Sequence, residues 1–187
     1  WFLLAIFVLS GFYGLSMGAT ALSVDMHRGI MQMLSSALKV PLLYLLSVAV
    51  CYPVLFIVIV LMGSRLSFLQ ALTLILLALT LNSILLASCA PIVLFIIFAG
   101  WDYEFIKLLH VTVFGFSGMW AMKALSQGLT IMCEKSDLYP KQAIKILQLW
   151  ILVFGLVGTQ MAWTLRPFVG SPDMDFQFFR KEQEGNF

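Results

Sequence analysis

Four polar side chains in one apolar run are the first candidates for chemistry. Within residues 68–98, Gln70, Thr73, Thr80 and Ser88 fall within about 80° of one another when wound at about 100° per residue, and Asn82 points to the opposite side. Such a stripe could line a water path, or could serve as hydrogen-bonding glue between helices or satisfy its own backbone. It contains no charged residue, which an ion or proton relay usually requires. The two histidines, His27 and His110, have no cysteine or carboxylate at ligand spacing, and Cys51, Cys89 and Cys133 show no pairing motif. Lys107 and His110 follow Asp102 and Glu104, so a local salt bridge or headgroup contact is expected there. Clustered carboxylates, a Ser/His nucleophile pair and a Gly-rich phosphate loop are all missing from the sequence. The expectation is a chain with no catalytic residue, no metal and no cofactor.

The elements that must position these side chains are set by hydropathy. Of 187 residues, 61% are hydrophobic and 11% charged, and the mean hydropathy is +1.00, a composition foreign to soluble domains of this size. Eleven basic against nine acidic residues, scattered in small groups, leave a net charge of +2 and no basic stripe for nucleic-acid phosphates. The apolar runs are continuous rather than alternating, so the spans are helices and not barrel strands. An all-α, polytopic membrane bundle follows, with spans expected at about 1–22, 40–62, 68–98, 105–122 or beyond, and 144–165. These make a bundle over residues 1–165 and leave residues 166–187 as an aromatic and charged tail. Pro53 and Pro91 are the expected places for bends. The chain opens on Trp1 with no initiator Met, so a leading segment could precede it.

Between the first two spans, Asp25, Arg28, Gln32, Ser36 and Lys39 recur at three- and four-residue spacing, opposite Met26, Ile30, Met33, Leu34 and Ala37. That pattern predicts an amphipathic helix over residues 25–39, lying along the headgroups or docked on a partner protein. Small residues mark the packing faces. Ser10, Gly14 and Gly18 repeat every four residues in the first span, and Gly115 with Gly118, and Gly155 with Gly158 and Ala162, offer similar grooves in the fourth and fifth. Removing side-chain bulk lets another backbone approach, a main source of helix association in lipid. In the tail, Arg166, Phe168, Phe176, Phe178 and Phe179 are candidate partner contacts, with Pro167 ending the last helix.

The five-span count, the run Lys39-Val40-Pro41-Leu42-Leu43, and the linker Gly63-Ser64-Arg65-Leu66-Ser67-Phe68-Leu69-Gln70 leading on to Ala90-Pro91 resemble bacterial members of the Ypt-interacting-protein (Yip) domain family over roughly residues 35–165. The Asp-Leu-Tyr-Gly-Pro motif of eukaryotic members has no match: Asp137-Leu138-Tyr139-Pro140 lacks the glycine and lies between the fourth and fifth spans. The stretch from Trp163 to Pro172 is similar to the ending of a group of uncharacterised bacterial inner-membrane proteins. These resemblances imply a bacterial inner-membrane location. Taken together, the residues suggest a non-catalytic structural or accessory subunit of a membrane complex, contacting lipids and other membrane subunits or itself, with a small transporter or channel as the alternative.

Overall fold

The computed structural model describes residues 1–23, 26–61, 67–134, 141–165, 167–169 and 178. Among them the chain is helical, with no strand: α1 (Phe2–Gly18) with a 3₁₀ turn at Ala19–Ser23, α2 (Met26–Leu61), α3 (Phe68–Phe98), α4 (Tyr103–Glu134) and α5 (Lys141–Thr164). Among the described residues four stretches are long and apolar enough to cross a membrane, namely Phe2–Leu22, Met26–Val58, Phe68–Phe98 and Tyr103–Gly128, and α5 adds the shorter apolar stretch Leu152–Thr164. The protein is thus an all-α polytopic membrane bundle, and the expected fifth span falls on α5.

The first helix occupies the centre, packed on both α2 and α3, while α4 lies on α3 and α5 on α2. Its small residues explain the position. A Cβ at Gly14 would come within 2.8 Å of Ala37 Cα, and one at Gly18 within 2.8 Å of the Gln32 carbonyl carbon. Real carbon atoms do not approach that closely, so only glycine allows α1 to lie backbone-to-backbone, antiparallel, on the first half of α2. The same intimacy closes the hairpin, where a Cβ at Gly29 would meet Leu22 Cα at 2.7 Å.

One expectation is corrected here. Residues 26–39 are not a separate interfacial helix: they are the first part of α2, which continues through Pro41 and Pro53 to Leu61. At about 1.5 Å per residue its 36 residues run to about 54 Å, well beyond a hydrocarbon core of about 30 Å. Pro41 denies a donor to the Ala37 carbonyl four residues earlier. That carbonyl oxygen lies 3.1 Å from where a Cβ on Gly11 would stand, and the Pro41 ring, itself fully buried, packs at 3.8 Å on the same point. The proline is accommodated because α1 has no side chain there.

The third helix begins with a reciprocal cap: Ser67 Oγ accepts from the Gln70 amide at 3.3 Å, and the Ser67 amide donates to Gln70 Oε1 at 3.0 Å. The Tyr52 hydroxyl donates to the Phe68 carbonyl, and the Tyr52 and Phe56 rings meet Phe68 edge-on at 4.7 and 5.0 Å. At its other end Gly100 takes φ +78°, a left-handed conformation, and turns the chain into α4. Pro91 lies inside α3, which continues past it to Phe98.

Candidate functional site

Two groups of buried polar residues stand out from the apolar bundle. The first is the polar face of α2. Gln32, Ser36 and Lys39 are buried, against the expectation that this face meets headgroups. Gln32 Nε2 donates to the carbonyls of Pro167 and Phe168 at 3.2 and 3.0 Å, and Ser36 Oγ donates to the Phe168 carbonyl. Lys39 Nζ donates to the Pro167 carbonyl at 3.0 Å and to the Phe178 carbonyl, and sits 4.8 Å from the Phe178 ring centroid. The physical need is mutual. Pro167, Phe168 and Phe178 lie outside any helix, so their carbonyls have no helical donor, and burying them without partners is costly. Lys39 lies ten residues, or about 15 Å, along α2 from Gly29, and its side chain leans back toward the amino end of the helix. Its ammonium therefore reaches toward the level at which α5 ends, which is snorkelling onto peptide carbonyls rather than onto lipid headgroups.

The second group lies inside the bundle. The Tyr13 hydroxyl and His110 Nδ1 share a 2.9 Å hydrogen bond, with the Tyr13 ring edge-on to both His110 and Phe114. Asn82 Nδ2 donates to the Tyr44 hydroxyl at 2.8 Å. All four side chains are buried, with His110 only 2% exposed. This corrects the second expectation: His110 is not at a headgroup but one or two turns inside, facing α1. Lys107 does make the local contact, donating to Glu104 Oε1 at 2.7 Å, and Lys123 lies within α4, exposed, 5.4 Å from the Trp120 ring centroid.

The expected polar path does not line an interior. Gln70, Thr73 and Ser88 are exposed and Thr80 is at the edge of burial. Gln70 serves the helix cap, while the hydroxyls of Thr73, Thr80 and Ser88 each donate to the carbonyl four residues back, at 2.7 to 2.8 Å. The polar residues of α3 that are most deeply buried are Ser83 and Asn82, and Asn82 lies on the other side of the helix from the stripe. Its opposite placement in the helical projection was the available signal, and Tyr13, Tyr44 and His110 gave none of comparable strength.

The packing glycines divide in two. Ser10 is buried, donating to the Ile6 carbonyl, and Gly14 and Gly18 meet α2 as described. At Gly115, Gly118, Gly155 and Gly158 an added Cβ would find nothing within 4 Å among the described residues, although Ala162 is half-buried against the core. Gly128, which sequence spacing did not single out, fits against Leu74 of α3. In the tail, Phe168 packs against the core and Phe178 contacts Lys39. Arg166, Phe176 and Phe179 lie outside the described residues, as do Asp25 and residues 137–140. No group of three His, Cys, Asp or Glu that could hold a metal occurs among the described residues.

These features define the class: an all-α membrane bundle with a glycine-packed hairpin, a clasped carboxyl-terminal segment and a polar interior. Compared with known proteins, the chain matches no family model, no curated protein and no solved structure.

Proposed function

We propose that this protein is a non-catalytic structural or accessory subunit of a membrane complex, in a bacterial inner membrane, working by helix contact. The observation that carries the reading is the contrast between its two sets of glycines. Those of α1 are used up within the chain, while Gly115 and Gly118 on α4 and Gly155 and Gly158 on α5 have room for another backbone. Phe116, Met119 and Trp120 on α4 and Leu152 and Leu156 on α5 extend the outward apolar faces around them. In lipid, where apolar area alone gives no drive to associate, close backbone approach is what selects a protein neighbour over acyl chains. Mild-detergent extraction followed by native mass spectrometry tests the proposal. It expects a fixed-stoichiometry assembly that Gly155→Leu and Gly158→Leu reduce to a folded monomer. A monomer from wild-type membranes, under conditions that preserve a control complex, would refute it.

A second reading, a small transporter or channel, is supported by the buried Tyr13–His110 and Tyr44–Asn82 pairs, since polar groups inside a bundle often mark a solute path. Flux into liposomes that disappears in Asn82→Leu, but survives Thr80→Leu and Ser88→Leu, would favour it over the subunit reading.

A further inference from the structure

The interior pairs leave polar atoms whose hydrogen bonds no arrangement of their neighbours completes. Among the described residues, Asn82 Oδ1, His110 Nε2, Ser47 Oγ and Ser35 Oγ are buried without a hydrogen-bond partner, and the first three lie on or beside these pairs. Exchanging the two ends of the Asn82 amide does not help, because one end then pairs with Tyr44 and the amino group is the one left over. The imidazole behaves alike. If Tyr13 donates to Nδ1, His110 Nε2 carries a proton with nothing to receive it; if Nδ1 donates to Tyr13, Nε2 is an unfilled acceptor and the Tyr13 proton needs a home. Ser47 departs from the habit of other hydroxyls in these helices. Ser10, Ser83, Thr80 and Ser88 all spend their hydroxyls on the carbonyl four residues back, whereas Ser47 does not, and it sits one turn along α2 from Tyr44 on the same side.

What these atoms require is a small neutral molecule that both donates and accepts. We propose that water binds inside the bundle at Asn82 and Ser47, and again at His110, and joins the Tyr44–Asn82 and Tyr13–His110 pairs into one hydrated seam among α1, α2, α3 and α4. A buried water characteristically makes two to four bonds to otherwise unpaired polar groups. Asn82, Ser47 and Tyr44 supply that number at one end of the seam. An ion is a poorer occupant, because these groups are neutral and mix donors with acceptors, and burying a charge among them lacks a counter-charge. Tyr13, which pairs with His110, lies on α1, and α1 packs against both α2 and α3, the helices that carry Tyr44 and Asn82. The inference stands apart from both functional readings, since water can occupy the seam of a subunit that conducts nothing.

Hydroxyl-radical footprinting by X-ray radiolysis of the full chain in nanodiscs tests it, because radicals born from a bound water mark the side chains beside it even where bulk solvent has no access. Tyr52 is the internal reference: it is as buried as Tyr44, but its hydroxyl is paired with the Phe68 carbonyl. The seam predicts that Tyr13 and Tyr44 are modified several-fold faster than Tyr52, and that the Tyr44 rate falls in Ser47→Ala and in Asn82→Leu. Ser47→Ala removes a single hydroxyl and keeps the test open if Asn82→Leu fails to fold. Modification of Tyr13 and Tyr44 no faster than Tyr52, or a Tyr44 rate unchanged in Ser47→Ala, would overturn the proposal.

Discussion

Gly14→Ala is the smallest change that tests the central hairpin, and its cost can be worked from the backbone separation. The new methyl would stand 2.8 Å from Ala37 Cα and from the Ser36 carbonyl carbon. Carbon atoms rest at about 3.5–4.0 Å, so α1 and α2 must part by roughly 1 Å, and the obstacle is main chain, which cannot swing away as a side chain can. A gap of that size forfeits about a quarter to a half of each dispersion contact it opens, and overpacking of this kind costs about 1–3 kcal/mol. Against it stands a helix-propensity gain of at most about 1 kcal/mol for replacing glycine by alanine. Gly115→Ala has the same propensity gain and no obstacle, since nothing lies within 4 Å of its Cβ position. Reversible unfolding in mixed micelles should therefore show Gly14→Ala destabilised by about 1–2 kcal/mol and Gly115→Ala neutral or slightly stabilised. Equal stability of the two variants would refute the backbone-to-backbone packing of α1 on α2.

Lys39→Met keeps the length and the apolar stem but removes the donor to the Pro167 and Phe178 carbonyls; it should free the carboxyl-terminal segment, read as faster limited proteolysis beyond residue 165, while α1 to α4 stay folded. Tyr13→Phe removes the interior hydrogen bond to His110 Nδ1 and should cost about 1 kcal/mol, within the range of interhelical hydrogen bonds in lipid, measured in the same unfolding assay. Glu104→Ala breaks a salt bridge whose carboxylate is 81% exposed and should change stability by less than about 1 kcal/mol. In intact micelles a maleimide should label Cys89, which is half-buried, faster than Cys51, which is buried, and mass spectrometry of the two peptides reads the ratio.

Much of the architecture was legible because lipid leaves few choices. The apolar run at 68–98 coincides with α3, bounded by a capping serine and a turn glycine that both have plain local causes. The break expected before residue 40 was not there, and the reason is instructive. A polar helix face has the same periodicity whether it meets water or a row of peptide carbonyls, and the partner of Gln32, Ser36 and Lys39 lies some 130 residues away in the chain. The stripe through Gln70 and Ser88 shows the complementary limit: helical projection reveals which residues align, not which way the aligned face turns. Serine and threonine can satisfy themselves on their own helix, so their alignment says little, whereas the lone Asn82 cannot and had to turn inward. Glycine spacing is equally silent about occupancy. The pairs in α1 and in α5 look alike in sequence, and only the neighbouring backbone distinguishes a filled groove from an open one.

The most direct test of the subunit proposal is photo-crosslinking in native membranes from probes placed at Met119 on α4 and Leu156 on α5, which are 69% and 60% exposed, with a probe at Leu46 on α2 for comparison. The account predicts discrete protein adducts of one defined mass from the α4 and α5 positions, lost when Gly155 and Gly158 are replaced by leucine. Adducts to lipid alone at all three positions would contradict it.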